Sequence, residues 1–315
     1  MLFAVMRNLL RLATLLLVSA LAANAQTSAD DFTATLNARY AITPNITYTT
    51  ANNVPLKLDL YLPRNITAPV PVIVLIHGGG WVEGTKEASA LTIMPYLEMG
   101  WAAVNVEYRL GRVSRAPAAV EDCRCALHWV FANAEKYKFD PHRVIVTGGS
   151  AGGHLALTTG MLQANSGFDR TCRVGENNAW TGPGGTDNDP PVAAIVNFFG
   201  ITDVLDMLHG PDARGYAIEW VGYQPNADEL ARAVSPINMV HKGLPPIITI
   251  HGTADKLVPY DQAVRLHKAL DQAAVTNQLF TVQGAGHGDF TAAQSIEVWN
   301  AVRAFLDKTV KPTTH

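Results

Sequence analysis

The stretch that decides the fold is VIVTGGSAGGHLAL, residues 144–157, in which a β-rich run meets a cluster of glycines around one serine and then a helix-forming run. In the pattern Gly148-x-Ser150-x-Gly152 the serine stands at a crowded turn between a strand and a helix, where glycines relieve steric conflict. Such a turn lifts the Ser150 hydroxyl above a sheet, at the amino end of a helix that favours developing negative charge. The pattern alone is weak, because a structural serine turn also matches it.

Segments on both sides of this turn alternate between strand-like and helix-like sequence. Continuous apolar runs are typical of strands buried on both faces, whereas alternation indicates one wet face. The predicted strands are residues 55–62, 70–77, 101–108, 143–149, 192–200, 246–252 and 279–284, and the predicted helices are residues 118–135, 152–163, 261–274 and 291–308. We expect the alternating strand at 55–62 at an antiparallel edge. The order predicts an α/β, doubly wound, mostly parallel sheet whose carboxyl rim carries the chemistry.

Two segments interrupt the alternation. Residues 164–191 are rich in turn residues and follow a helix that runs away from the active rim, so we expect a structural role for them. Residues 201–242 follow the carboxyl end of a strand and are interpreted as a mostly helical insertion, placed to roof the site.

Partners for Ser150 are expected in the loops after two later strands. A serine hydroxyl needs a base to remove its proton and a third group to orient that base. Asp255 follows the strand at 246–252, and His287 follows the strand at 279–284. Three other carboxylates lie in segments that border the predicted rim: Asp203, Asp261 and Asp289. Only Asp255 leaves a buried strand directly before the histidine's own strand, so we predict Ser150, Asp255 and His287 as the triad.

Backbone donors for a carbonyl oxygen are expected from LIHGGGWVEG, residues 75–84, where three glycines follow a strand. Their N–H groups and that of Ala151 are placed to converge on one oxygen. A phosphate-binding loop is the rival interpretation, but no Lys-Ser/Thr pair follows and no G-x-G-x-x-G opens a helix here. Trp81 and Phe290 adjoin these loops and either line an apolar pocket or simply pack.

These motifs together resemble the α/β-hydrolases, specifically the hormone-sensitive-lipase-like esterases and their branch of secreted or periplasmic carbohydrate (acetyl or feruloyl) esterases. The resemblance spans residues 56–306 and rests on HGGGW, GGSAGGHLA and the later acid and histidine. It implies an α/β-hydrolase fold with helices on both faces. The insertion at 201–242, which follows the predicted strand at 192–200, is interpreted as small and cap-like. The roles that it implies are Ser150 as nucleophile, Asp255 as acid, His287 as base, and Gly79, Gly80 and Ala151 as oxyanion donors.

The function implied by this resemblance is a serine carboxylesterase that hydrolyses short-chain acyl esters through an acyl-enzyme on Ser150. No cofactor is expected, and the absence of metal-ligand spacing such as H-E-x-x-H implies no metal. A serine peptidase of the prolyl-oligopeptidase type and a catalytically inactive α/β-hydrolase that serves as a binding module are the alternatives. The expected partner is a small-molecule or carbohydrate ester, and the oligomeric state stays open.

Composition adds limits of its own. The 315 residues are 48% hydrophobic, which is enough for one large core. A signal peptide is predicted at residues 1–25 from the segment MRNLLRLATLLLVSALAANA, residues 6–25. Its apolar stretch is shorter than the ~20 residues that a membrane span needs. The catalytic domain is then predicted at residues 26–315. Removal of the signal peptide takes away two arginines and moves the formal net charge from −3 to −5, which disfavours nucleic acid as a partner.

Three cysteines are present, at Cys123, Cys125 and Cys172. An odd count in an oxidising compartment predicts one bridge and one thiol. Neighbours two apart on a helix point to different faces, so Cys172 is expected to pair with either Cys123 or Cys125.

Overall fold

The computed structural model describes residues 34, 36–163, 166–169, 172 and 192–311. The predicted signal peptide and most of the segment at 164–191 lie outside the described residues. Two compact units divide at Ala41 and Ile42. In the first, residues 34 and 36–39 are helical. The second holds nearly all of the sheet and the candidate site.

Eight strands form one sheet in the order β1-β2-β4-β3-β5-β6-β7-β8. They are β1 (Tyr40–Ala51), β2 (Val54–Pro63), β3 (Val70–Ile76), β4 (Ala102–Val106), β5 (Phe139–Gly149), β6 (Ala194–Phe198), β7 (Ile247–Gly252) and β8 (Asn277–Val282). Strand β2 runs antiparallel to β4, and the pairs from β4 through β8 are parallel. The mostly parallel α/β sheet is therefore confirmed, and the parallel strands deliver their carboxyl ends to one rim.

The antiparallel pairing predicted for the strand at 55–62 is confirmed, but its predicted place at the edge of the sheet is wrong. Strand β2 lies inside the sheet, because the edge is taken by β1, which the sequence pattern did not indicate and most of whose residues are partly or fully exposed. Two polar residues create the alternation in β2, Lys57 and Asp59, and only Asp59 is buried, with Lys86 Nζ 3.0 Å from its Oδ2. At Asp59 a buried ion pair, rather than a wet face, explains the polar residue.

The helices connect the strands and cover the sheet. They are α1 (Met94–Glu98), α2 (Ala118–Ala132), α3 (Ala134–Tyr137), α4 (Ala151–Met161), α5 (Gly215–Val221), α6 (Ala227–Ala233), α7 (Tyr260–Gln272) and α8 (Ala292–Thr309), with 3₁₀ turns at Glu87–Ile93, Gly210–Asp212 and Pro236–Met239. All four predicted helices are present, although the first is divided at Asn133 into α2 and α3. Helix α8 begins with a capping box between Thr291 and Gln294. No helix within the described ranges has the length and apolar character to cross a membrane.

The insertion at 201–242 contains α5, α6 and the 3₁₀ turns at Gly210–Asp212 and Pro236–Met239. It follows β6 and so begins at the carboxyl rim, as the sequence predicts. Arg214 and Tyr216 attach it to the loop after β7: Arg214 Nε and the Tyr216 hydroxyl each donate to the Leu257 carbonyl at 3.2 Å. The insertion therefore borders the site.

The disulfide joins Cys125 of α2 to Cys172 and closes a loop with a sequence separation of 47. Cys123 is a buried thiol. Of the two pairings that the sequence left open, the structure has the one through Cys125.

Candidate active site

The nucleophile turn is formed where β5 ends and α4 begins. Ser150 lies between them with φ 58° and ψ −124°, a backbone conformation that is costly for any residue with a side chain. Its N–H donates to the Phe198 carbonyl at 2.9 Å, and its own carbonyl accepts from the His154 N–H at 3.0 Å. The turn is thus held by the neighbouring strand β6 and by the first turn of α4.

Close approach of strand β3 explains the glycines around Ser150. A β-carbon at Gly152 would lie 2.1 Å from the Ile76 carbonyl oxygen, and one at Gly148 would lie 2.5 Å from the same atom. Real β-carbons do not approach backbone atoms so closely, so any side chain here would force β3 and the turn apart. The sequence pattern therefore reflects backbone packed against backbone.

The glycine loop after β3 reaches the same place. Gly79 and Gly80 have φ values of 111° and 58°, in the region that favours glycine. A β-carbon at Gly79 would lie 2.0 Å from the Glu83 carbonyl oxygen, and one at Gly80 would lie 2.8 Å from Tyr216 Cβ. The tight turn and the insertion thus both require glycine here. Ala151, the third predicted donor, is fully buried at the start of α4.

The predicted acid and base meet across the loops after β7 and β8. His287 Nδ1 lies 2.7 Å from Asp255 Oδ2. Because a carboxylate oxygen only accepts, His287 carries its proton on Nδ1, and Nε2 is left to accept one. Asp255 Oδ1 accepts the N–H groups of Leu257 at 2.8 Å and Val258 at 2.9 Å.

The environment of Asp255 keeps its carboxylate ionised. Burial by itself would raise its pKa, but hydrogen bonds from His251 and His287 and from the Val258 N–H outweigh burial and hold the pKa well below its usual range. The side chain of Asp255 is 0% exposed and that of His287 is 17% exposed. A shielded anion behind a partly accessible imidazole suits a carboxylate that stabilises imidazolium during a reaction.

Ser150 and His287 open into one cavity of about 510 Å³. It is lined by Leu75, Ile76, Gly78, Gly79, Gly80, Val82, Glu83, Ser89, Thr92, Gly149, Ser150, Phe199, Tyr216, Leu257 and His287. The structure thus brings together the predicted nucleophile, the predicted base and two of the three predicted oxyanion residues. Asp255 stands behind His287.

The other carboxylates near the rim are bound elsewhere or exposed. Arg265 lies 3.0 Å from Asp203 Oδ2 and 2.9 Å from Asp261 Oδ2. Asp289 is exposed, two positions beyond the histidine. Of these four carboxylates, Asp255 is the one that bonds His287.

Trp81 packs beneath the site and is not a lining residue of the cavity. It is fully buried, stacks on Trp220 with ring centroids 4.2 Å apart, and donates from Nε1 to His154 Nδ1 at 3.1 Å. His154 Nε2 lies 2.7 Å from the Val234 carbonyl, and burial lowers the pKa of His154 to about 4. This group joins the glycine loop, helix α4 and the insertion.

Phe199 was missed by the sequence analysis and lines the cavity. Its φ of 40° is strained for a phenylalanine. The ring lies 4.7 Å from that of His287 and 6.1 Å from that of Phe290, which is partly buried behind it. Its position directly after β6, at the carboxyl rim, is the signal that was available in the sequence. Tyr216, from the insertion, was also missed.

A grouping with metal-binding residue types lies away from this cavity, at His128, Asp169 and Cys172. Its sulfur is in the disulfide with Cys125, and Asp169 Oδ1 accepts from Arg124 Nε at 2.7 Å. These side chains are committed to structural bonds and do not form a credible ligand set.

The fold, the bond between Asp255 and His287, and the cavity that His287 shares with Ser150 define a class, the α/β-hydrolases with the layout of a serine hydrolase. The BD-FAE family model matches residues 58–270, and the model of TAP-like protein matches residues 226–315. The chain belongs to the BD-FAE family.

Two similar proteins of Mycobacterium tuberculosis are ester hydrolases by name. Esterase LipC of Mycobacterium tuberculosis is 30% identical over 239 residues, which cover 73% of this chain and 56% of LipC. The probable carboxylic ester hydrolase LipM of the same organism is 32% identical over 205 residues, covering 63% of this chain and 44% of LipM. The chain spans about half the length of the curated relatives it matches.

Solved structures point the same way. A truncated carbohydrate esterase from gut microbiota is 27% identical with a TM-score of 0.70, covering 87% of this chain and 98% of that one. Esterase 2 of Thermogutta terrifontis with propionate bound is 25% identical with a TM-score of 0.70, covering 89% and 98%. These likenesses support a carboxylic ester hydrolase.

Proposed function

We propose that this protein hydrolyses short-chain acyl esters of carbohydrates, with acetyl or feruloyl as the acyl group, through an acyl-enzyme on Ser150. The observation that carries the proposal is the 2.7 Å contact between His287 Nδ1 and Asp255 Oδ2, made by a histidine that shares one cavity with Ser150. That contact orients the imidazole for proton transfer at Nε2.

In the proposed reaction, Ser150 Oγ attacks the ester carbonyl carbon while His287 Nε2 takes the hydroxyl proton. The N–H groups of Gly79, Gly80 and Ala151 stabilise the oxyanion. The carbon–oxygen bond to the alcohol then breaks, and His287 gives its proton to the departing oxygen. Water, deprotonated by His287, attacks the acyl-enzyme, and the proton returns to Ser150 as the acid leaves.

The walls of the cavity favour this substrate class. Phe199, whose ring lies 4.7 Å from that of His287, lines the cavity together with apolar Leu257, whereas Glu83 and Thr92 offer polar side chains from the segment after β3. We assign the acyl group to the apolar wall and the hydroxyl-rich alcohol to the polar wall. The propionate bound to the Thermogutta esterase and the carbohydrate esterase among the similar structures support this substrate class.

Kinetics on p-nitrophenyl esters test the acyl part. We expect kcat/KM to be highest for acetate through butyrate and to fall for longer chains, because a cavity of about 510 Å³ that also holds the alcohol has little room for them. A steady rise from acetate to dodecanoate would contradict the proposal.

Two further substrate sets test the alcohol part and the alternatives. Acetylated xylan and feruloylated sugars should be hydrolysed, with Glu83→Gln raising KM for these sugars more than for p-nitrophenyl acetate. Matched peptide anilides should be inert; their cleavage would favour the prolyl-oligopeptidase-type alternative. A chain that binds all these esters and hydrolyses none of them would be the inactive binding module.

We also propose that the protein is secreted or periplasmic. The Cys125–Cys172 disulfide supports this, because such bonds persist in oxidising compartments. Fractionation of the native host, with mass spectrometry of the first peptide, tests the proposal: the mature chain should begin after Ala25. Protein that keeps residues 1–25 in a reducing cytosol would contradict it.

A further inference from the structure

A second histidine contacts the carboxylate of Asp255. His251, at the end of β7, is fully buried, and its Nε2 lies 3.2 Å from Asp255 Oδ2, the oxygen that also bonds His287. The same Nε2 lies 3.0 Å from the Val258 carbonyl oxygen. His251 therefore faces two acceptors with one ring nitrogen.

This geometry assigns the proton of His251. Both neighbours of Nε2 only accept, so Nε2 carries the hydrogen and points between them. Within the described part of the chain, Nδ1 is buried and has no hydrogen-bond partner. Nδ1 therefore faces no acceptor, and His251 acts on Asp255 as a donor through Nε2.

We propose that His251 is a positioning residue for the triad, an inference that rests on the proposed function. Its Nε2–H restricts the position of Asp255 Oδ2. It also partly offsets the negative charge of that oxygen. Its bond to the Val258 carbonyl also steadies the turn whose Leu257 and Val258 N–H groups hold Oδ1. Both oxygens of the Asp255 carboxylate are thereby held by contacts that do not involve His287.

Other titratable side chains of the described residues lie near this pair. Tyr260, at the start of α7, meets the His251 ring edge-on with centroids 5.7 Å apart. From the insertion, Arg214 and Tyr216 bind the Leu257 carbonyl. Of these groups, His251 and His287 are the ones that contact Asp255 Oδ2, so His251 competes directly with His287 for the charge of that oxygen.

The competition has a measurable consequence. Without the His251 donor, Asp255 attracts protonated His287 more strongly, so the base stays protonated to higher pH. We expect His251→Leu to move the acid limb of the kcat/KM profile upward by about half a pH unit. We also expect kcat to fall on the order of tenfold with little change in KM, because the acid and base are less well aligned. p-Nitrophenyl acetate is the substrate.

Two variants make the test specific. His251→Gln keeps an amide N–H near the position of Nε2 and should restore most of the rate and the original acid limb. His267→Leu removes another buried histidine, one that bonds Asn277 instead, and should leave the profile unchanged. A purely structural role for His251 would lower thermal stability without moving the acid limb.

Three outcomes would overturn the proposal: a folded His251→Leu enzyme with the wild-type pH profile, a His251→Gln enzyme as impaired as the leucine variant, or ¹⁵N NMR of the wild type that finds the His251 proton on Nδ1. The NMR experiment needs neither turnover nor a folded variant. If the wild type hydrolysed no ester, the proposed function would fail while NMR still read the His251 contact.

Discussion

Around Ser150, backbone lies against backbone, and a β-carbon at Gly152 would come within 2.1 Å of the Ile76 carbonyl oxygen. Around His287, side chains hold one another in place. Asp255 Oδ2 lies 2.7 Å from His287 Nδ1 and 3.2 Å from His251 Nε2. The first region depends on the absence of side chains, and the second depends on particular donors and acceptors. We therefore expect added volume to damage the nucleophile turn, and lost hydrogen bonds to damage the acid–base loops.

The largest effect should come from removing the atom that both regions serve. Ser150→Ala should lower kcat by a factor on the order of 10⁴ or more, because the two regions can then only bind and polarise the ester. A fluorophosphonate should label the wild type once, on the Ser150 peptide, and should not label the variant. Ser295→Ala, in α8, is the control. Equal labelling of Ser150→Ala would show that another residue is the nucleophile.

The acid–base side is tested by its carboxylate. Asp255→Asn should keep the fold and lower kcat by roughly 10³–10⁴, since an amide favours the wrong tautomer of His287. Asp289→Asn, two residues from the histidine, is the matched control and should lower kcat by less than about tenfold. Measured kcat values that reverse this order would transfer the acid role to Asp289.

Adding one methyl group at Gly152 tests how tightly the backbone packs around Ser150. Gly152→Ala should lower the free energy of unfolding by about 3 kcal/mol or more, because the added carbon overlaps the Ile76 carbonyl. Gly215→Ala, at the start of α5, meets nothing within 4 Å and should change stability by less than about 1 kcal/mol. Denaturant unfolding measures both; equal losses would mean that close approach does not explain the glycine pattern.

The smallest effect concerns His154, which packs beneath the nucleophile turn, and it lowers the stability of the fold only at acidic pH. The pKa of His154 falls from 6.5 to about 4 in the folded protein because burial disfavours its charged form. The unfolded chain therefore binds more protons between these values, so the stabilisation is complete above about pH 6.5 and is lost as pH falls towards 4.

Up to about 3 kcal/mol of stability should disappear across that window through His154. Thermal or denaturant unfolding at several pH values measures the slope, and His154→Gln should flatten it. A variant with the same slope as the wild type would assign the acid sensitivity to other groups.

Much of the sheet could be read from local pattern. Long apolar runs such as residues 70–77 can only be buried on both faces, and glycines beside one serine indicate a crowded turn. The hidden edge strand β1 and the burial of Asp59 could not be read in this way. Asp59 looks solvent-facing in sequence, and only its pairing with Lys86, 27 positions away, makes its burial tolerable.

The sequence by itself determined the order of the strands from β2 to β8 and the loops in which Ser150, Asp255 and His287 lie, because periodicity and turn chemistry act over a few neighbouring residues. Only the tertiary structure decided which atoms meet. The choice of Cys125 for the disulfide, the ring of Phe199 beside His287 and the contact of His251 with Asp255 are examples. Each depends on distances set by packing between separate elements, and no local pattern encodes such distances.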